Sequence, residues 1–179
     1  MKTKTKMQLI STTAFLFIFL TGCSDSITGG LRNQDTYTEV TSVRFLLNLD
    51  HPVQENFTRS VEANDIYTDT YGDINLEQLK LRVEYLEDQN VDEIFIYNGE
   101  LQKAWHYSNG IWAELDAEDE HYRQAIQNYT NQLTSNIQFL LYNWTGEDFS
   151  LPYEGGTVTF YDIELNPVIE SFRFDGNSN

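Results

Sequence analysis

The sequence predicts an α+β domain, a curved antiparallel sheet of about six or seven strands packed on one long helix, and three observations carry that expectation. Val43, Phe45, Leu47 and Leu49 alternate with Arg44, Leu46 and Asn48, the period of a half-buried strand. Asn98-Gly99 separates DEIFIY from ELQKAWHY, the strongest short signal for a hairpin closed by a type I′ turn. Tyr122, Ile126, Tyr129, Leu133, Ile137 and Leu140 recur at spacings of three and four, one apolar stripe of an amphipathic helix.

The chain begins MKTKTKMQLISTTAFLFIFLTGC. Lys2, Lys4 and Lys6 form a basic start, and an apolar run from Leu9 to Leu20 follows, interrupted only by Ser11, Thr12 and Thr13. That run is too short for a stable span, which needs about 20 residues. It has the length of a signal-peptide core, about 7–15 residues. Leu20-Thr21-Gly22-Cys23 resembles the lipobox of bacterial and archaeal lipoproteins. The resemblance implies cleavage before Cys23 and a diacylglycerol anchor on its thiol. Residues 1–22 are then a leader, residues 23–37 a polar tether containing Gly29-Gly30, and residues 38–179 one domain. The expected location is the cell membrane or envelope, facing away from the cytoplasm, with the membrane as a partner through the lipid on Cys23.

Charge narrows the partners. The net charge is −17, and the leader holds three of the eleven basic residues and no acid, leaving the mature chain at −20. Such a balance repels nucleic acid and anionic headgroups. Cys23 is the only cysteine, so no disulfide can close within the chain. The domain must rest on a core built from about 157 residues, enough for one.

The domain's elements follow in order. After the strand at residues 43–49, Leu79, Leu81, Val83 and Tyr85 alternate as a second strand, although Leu76, Leu79, Val83 and Leu86 also permit a helix. The hairpin at Asn98-Gly99 continues through a second reversal at Ser108-Asn109-Gly110 into IWAEL, a three-stranded meander. The helix is expected over roughly 118–142, with Glu118, Asp119 and Glu120 at the end where the macrodipole favours acids. Residues 145–156, with Pro152 and Gly155-Gly156, read as a loop. Two closing strands, 157–164 and 168–174, are broken by Asn166-Pro167. This order, with the hairpin running from Asn98-Gly99 through Trp105 to Trp112, resembles the lipoprotein-carrier superfamily, which includes the periplasmic carrier of outer-membrane lipoproteins and cell-wall lipoproteins of mycobacteria. The resemblance spans about residues 38–175 and implies an apolar-ligand cavity between sheet and helix.

No pattern points to catalysis, so the chain is read as no enzyme and no cofactor is expected. His51, His106 and His121 stand at unrelated spacings, and Asp65, Asp69 and Asp73 are four apart, unlike the alternating ligands of a calcium loop. No metal site is therefore expected. There is no Gly-x-Ser-x-Gly elbow, and acidic neighbours such as Glu87-Asp88 are ordinary in a chain with 28 acids. Asn56, Asn128 and Asn143 begin Asn-x-Thr sequons, candidate glycosylation sites in an organism that glycosylates exported proteins. Three Trp, eleven Tyr and eleven Phe either line a ligand groove or pack the core. On the first reading Trp105, Tyr107, Trp112, Tyr129 and Leu133 line the cavity, and an apolar ligand or lipid is bound or carried. On the second, the domain is a structural or accessory envelope protein acting by contact with another protein.

Overall fold

A computed structural model describes residues 40–53, 56–67, 74–87, 90–115, 120–153 and 155–176. The leader, Cys23 and the tether lie outside the described residues, as do Asp69 and Asp73. Eight strands form a single antiparallel sheet: β1 (Ser42–Asp50), β2 (Phe57–Asn64), β3 (Lys80–Glu87), β4 (Asn90–Asn98), β5 (Lys103–Ser108), β6 (Ile111–Leu115), β7 (Phe149–Tyr153) and β8 (Gly156–Leu165). Among the described residues one helix, α1 (Glu120–Asn143), separates β6 from β7, and a 3₁₀ turn, Ser171–Phe174, comes last.

The domain is therefore largely β, which corrects the expected sheet of six or seven strands packed on a long helix. Two strands escaped the sequence pattern. In β2 the inward series is Phe57, Arg59, Val61 and Ala63, and the arginine interrupts what would otherwise be clear alternation. The segment read as a loop contains β7, whose Pro152 is tolerated because the strand has a neighbour only at β8. Conversely, residues 168–174 do not form a strand. The places beside β8 are taken by β1 and β7, and the segment instead lies across the sheet.

The spatial order is β6-β5-β4-β3-β2-β1-β8-β7. Strands 1 to 6 form a continuous meander, while β7 and β8 sit beyond β1 on the opposite side, so α1 joins the two edges. On the face that α1 covers, Val43, Phe45, Leu47 and Leu49 are fully buried against Val61, Leu81, Phe160 and helix residues Leu133, Ile137 and Leu140. Each such side chain contributes about 1.5–3 kcal/mol of apolar burial. The other face is covered by the chain's end: Phe174 is fully buried against Ile94 and Ile96, with Trp105, Tyr107, Trp112 and Ile169 around it.

Beside that aromatic cluster runs a ladder of charges. Glu164, Arg44, Glu62 and Arg82 are cross-strand neighbours on β8, β1, β2 and β3, with alternating sign. Arg44 binds Glu62 at 3.0 Å and Glu164 at 3.1 Å. Arg82, 2 % exposed, binds Glu84 at 2.7 Å and donates to the carbonyl of Arg173 at 3.1 Å. Arg173 reaches down to Glu62 at 2.9 Å and Glu84 at 3.0 Å. These bonds pin the C-terminal segment to the sheet.

The two Asn-Gly turns differ. Asn109 (φ 53°) and Gly110 (φ 79°) alone link β5 and β6, the positive pair of a type I′ hairpin. The expected type I′ turn at Asn98-Gly99 is absent. A four-residue loop, Gly99 to Gln102, joins β4 to β5, and its left-handed residue is Gln102 (φ 52°). Gly99 is required there for space, since a Cβ would lie 2.0 Å from the carbonyl oxygen of Leu76.

The same corner generates a pH dependence. Tyr97 donates to that Leu76 carbonyl at 3.0 Å, and its burial pushes the phenol above its ordinary range. Lys80, on the neighbouring strand, is also raised, chiefly by its hydrogen bond to Asp65 at 2.8 Å. In both cases the folded domain holds a proton more tightly than the unfolded chain, so their contribution is present below about pH 10 and lost above it. The thermal midpoint is expected to fall between about pH 9.5 and 11.5, and Tyr97→Phe to fall less steeply. Parallel curves would exclude the phenol.

Candidate functional site

Sheet register divides the residues expected to line one cavity. Ala104 pairs with Tyr97 and His106 with Phe95, which puts Ala104 and His106 on the helix-covered face. Trp105 and Tyr107 therefore point to the opposite face, as does Trp112, the cross-strand neighbour of Tyr107. Leu133 sits in the core between α1 and the sheet, and the side chain of Tyr129 lies outside the described residues. The three strand aromatics and Leu133 are thus separated by the sheet itself. Alternation alone leaves the choice of face open, because one step of register reverses it.

The strand aromatics are engaged by the chain's end. The Tyr107 and Trp112 rings meet at 5.2 Å, tilted by 48°, and Gly176 lies so close to Trp105 that a Cβ would fall 2.2 Å from its indole. Of the sequons, Asn56 is exposed, its Nδ2 donating to Asp50 at 3.4 Å while its Oδ1 accepts from the His51 amide. Asn143 donates to the Phe139 carbonyl at 2.7 Å. The side chains of Asn128 and His121 lie outside the described residues. His51 accepts from the Val53 amide, and Asp65 is bound to Lys80.

Sequence patterning missed the polar group that stands out on the helix-covered face. Phe160, Leu47, Arg59, Tyr85, Glu93 and Ser108 form one cross-strand row from β8 to β5. Arg59 is 6 % exposed. Its guanidinium carbon lies 4.1 Å from the centroid of the Phe57 ring and 4.7 Å from that of Tyr85. Each such stack contributes about 0.5–2 kcal/mol, comparable with the cost of about 1–3 kcal/mol for one buried donor left unmade. Its Nε has no hydrogen-bond partner among the described residues. Further along, Glu93 accepts from Ser108 and lies 3.4 Å from His106 Nε2. Serine and histidine both engage the carboxylate, so no nucleophile–base pair forms.

On α1, above this face, Thr130 and Thr134 are buried and donate to carbonyls of their own helix, as helical threonines commonly do. Asn136 differs: it is 3 % exposed and its Nδ2 has no partner among the described residues. Such donors cost about 1–3 kcal/mol each when left unmade. Among the described residues no helix is long and apolar enough to cross a membrane. Comparison with protein-family models, with curated proteins and with solved structures found no match.

The aromatic cluster on the far face yields a direct test of what those rings do. Phe174→Ala is expected to cost about 3–5 kcal/mol in denaturant melts and to shift tryptophan emission to the red as Trp105 loses its cover. A melt unchanged from the parent would show that the chain's end is not part of the folded unit.

Proposed function

We propose that this chain is an extracytoplasmic lipoprotein, held at the membrane by lipid on Cys23, whose sheet domain binds a ligand with an apolar body on the face covered by α1. The observation that carries the binding reading is the interrupted core: beside fully buried Phe45, Leu47 and Phe160, the row continues into half-buried Tyr85 and an arginine whose buried Nε has no acceptor among the described residues. A structural scaffold has no need of such a residue in its interior, where an apolar side chain of similar volume would serve as well or better. Rings that present an apolar surface around a polar group are the ordinary lining of small-molecule sites.

The second reading, an accessory envelope protein working by contact, is favoured by apolar side chains on the surface: Val168 is 94 % exposed, and Ile111 and Phe172 are also exposed. They are carried on the C-terminal segment and on β6.

Two experiments test the proposal. Cys23→Ala is expected to release the protein from the membrane fraction or leave an uncleaved precursor, because the lipobox residues are its anchor. Unchanged detergent partitioning with no lipid mass on the parent would overturn the anchor. Native extraction from the host membrane followed by mass spectrometry separates the two readings. A stoichiometric small molecule is expected, and a stoichiometric protein partner with no small molecule would favour the contact reading.

A further inference from the structure

We infer that Arg59 and Asn136 form an oxyanion site between β2 and α1, so that the ligand of the proposed binding face is an acidic amphiphile, with a carboxylate or phosphate head and an apolar body. This rests on the binding reading above and adds the chemistry of the head group.

The argument starts from how the other buried polar groups are satisfied. Arg82 and Glu62, buried on the opposite face, have charged partners. Thr130 and Thr134 donate to helix carbonyls. Arg59 Nε and Asn136 Nδ2 stand apart as buried side-chain atoms with no partner among the described residues. Both are donors, and both belong to the helix-covered side. An oxyanion can satisfy two donors at once, and a guanidinium edge matches its geometry.

Topology brings the two together. α1 runs from the β6 edge to the β7 edge of the sheet. Phe139 fixes its height over β8, with its ring 6.2 Å from that of Phe160. Phe160 pairs with Leu47, and Leu47 with Arg59. Asn136 precedes Phe139 by three residues, about 4.5 Å back along the axis, close to the ~4.8 Å spacing of one strand. That step leads from β8 to β1, whose Leu47 is the cross-strand neighbour of Arg59 on β2. On the helix Asn136 flanks the buried line of Leu133, Ile137 and Leu140 on the side of Phe139, the side that meets the row of Phe160 and Arg59.

Selectivity follows from charge. A mature chain at −20 disfavours anions everywhere by long-range repulsion, which salt screens within about 10 Å. A buried guanidinium stacked on Phe57 and Tyr85 acts below that range. A ligand reaching it must carry apolar surface to be held beside those rings, which is why an amphiphile rather than a free inorganic anion is the expected guest.

The test uses the full mature chain carrying Cys23→Ala, titrated with dodecanoate, dodecyl phosphate, methyl dodecanoate and inorganic phosphate. One or both of the acidic probes should bind at least tenfold more tightly than the neutral ester, with inorganic phosphate weaker still; the tighter acid names the head group. Arg59→Met should bring acid and ester to parity, Arg59→Lys should retain part of the preference, and Asn136→Leu should lower acid affinity several-fold. Without ligand, Asn136→Leu should melt at or above the parent temperature, since it removes an unsatisfied donor. Equal binding of acids and ester by the parent would overturn the oxyanion site while leaving apolar binding intact. No binding of any probe would overturn both. Collapse of Arg59→Met with an unchanged acid preference in Arg59→Lys and Asn136→Leu would mark the arginine as a packing residue and end the proposal.

Discussion

The strand order imposes one long crossing on which the remaining architecture depends. A six-stranded meander ends at β6, yet the next strands of the chain pair beside β1, at the far side of the sheet. The connection must cross every strand. Seven strand intervals of ~4.8 Å make a width of about 34 Å, and the 24 residues of α1 make a rod of about 36 Å. The helix is thus as long as the sheet is wide. A crossing of this kind has to bury its apolar stripe on one face of the sheet, which commits the inward residues of β1, β2, β3 and β8 to that side and leaves the other face to be covered by different means.

Those means are the segment from Ile169 to Gly176 and the charge ladder. Apolar packing holds only the part nearest β4 and β5, where Phe174 sits on Ile94 and Ile96. Over β1, β2 and β3 the cover is ionic, and every carboxylate of the ladder meets an arginine. Buried pairs of this type contribute little net stability compared with well-packed apolar groups. What they do supply is position: Arg173 binds Glu62 and Glu84 together, and Arg82 holds the same segment through the Arg173 carbonyl.

How far the fold could be read from sequence depended on where polar residues fell. β1 and β3 keep their alternation, Asn-Gly reversals mark the meander from β4 to β6, and the helix keeps its stripe, so each was legible. β2 was hidden by Arg59, and that same residue is the centre of the candidate site. Local patterning failed at a position where the interior is not simply apolar. β7 was hidden by Pro152 and the glycines beside it. The C-terminal segment was misread because apolar spacing does not say whether a neighbouring strand place is vacant. Which face Trp105 and Trp112 occupy was beyond alternation, since it is set by pairing partners. That Arg59 Nε and Asn136 Nδ2 are buried with no hydrogen-bond partner among the described residues is a tertiary property with no local signature.

The sheet is open, and both of its borders are short. β6 and β7 have five residues each, and β7 carries Pro152, which offers no amide to an incoming chain. Brief, interrupted margins are how β proteins discourage edge-to-edge recruitment of further copies. If the proposed lipid anchor on Cys23 holds the chain at a membrane surface, the consequence is one of crowding. Anchoring concentrates neighbouring copies in two dimensions, where a long free border would seed linear assemblies. Margins of this length leave neighbours held by the proposed anchor little border on which to pair.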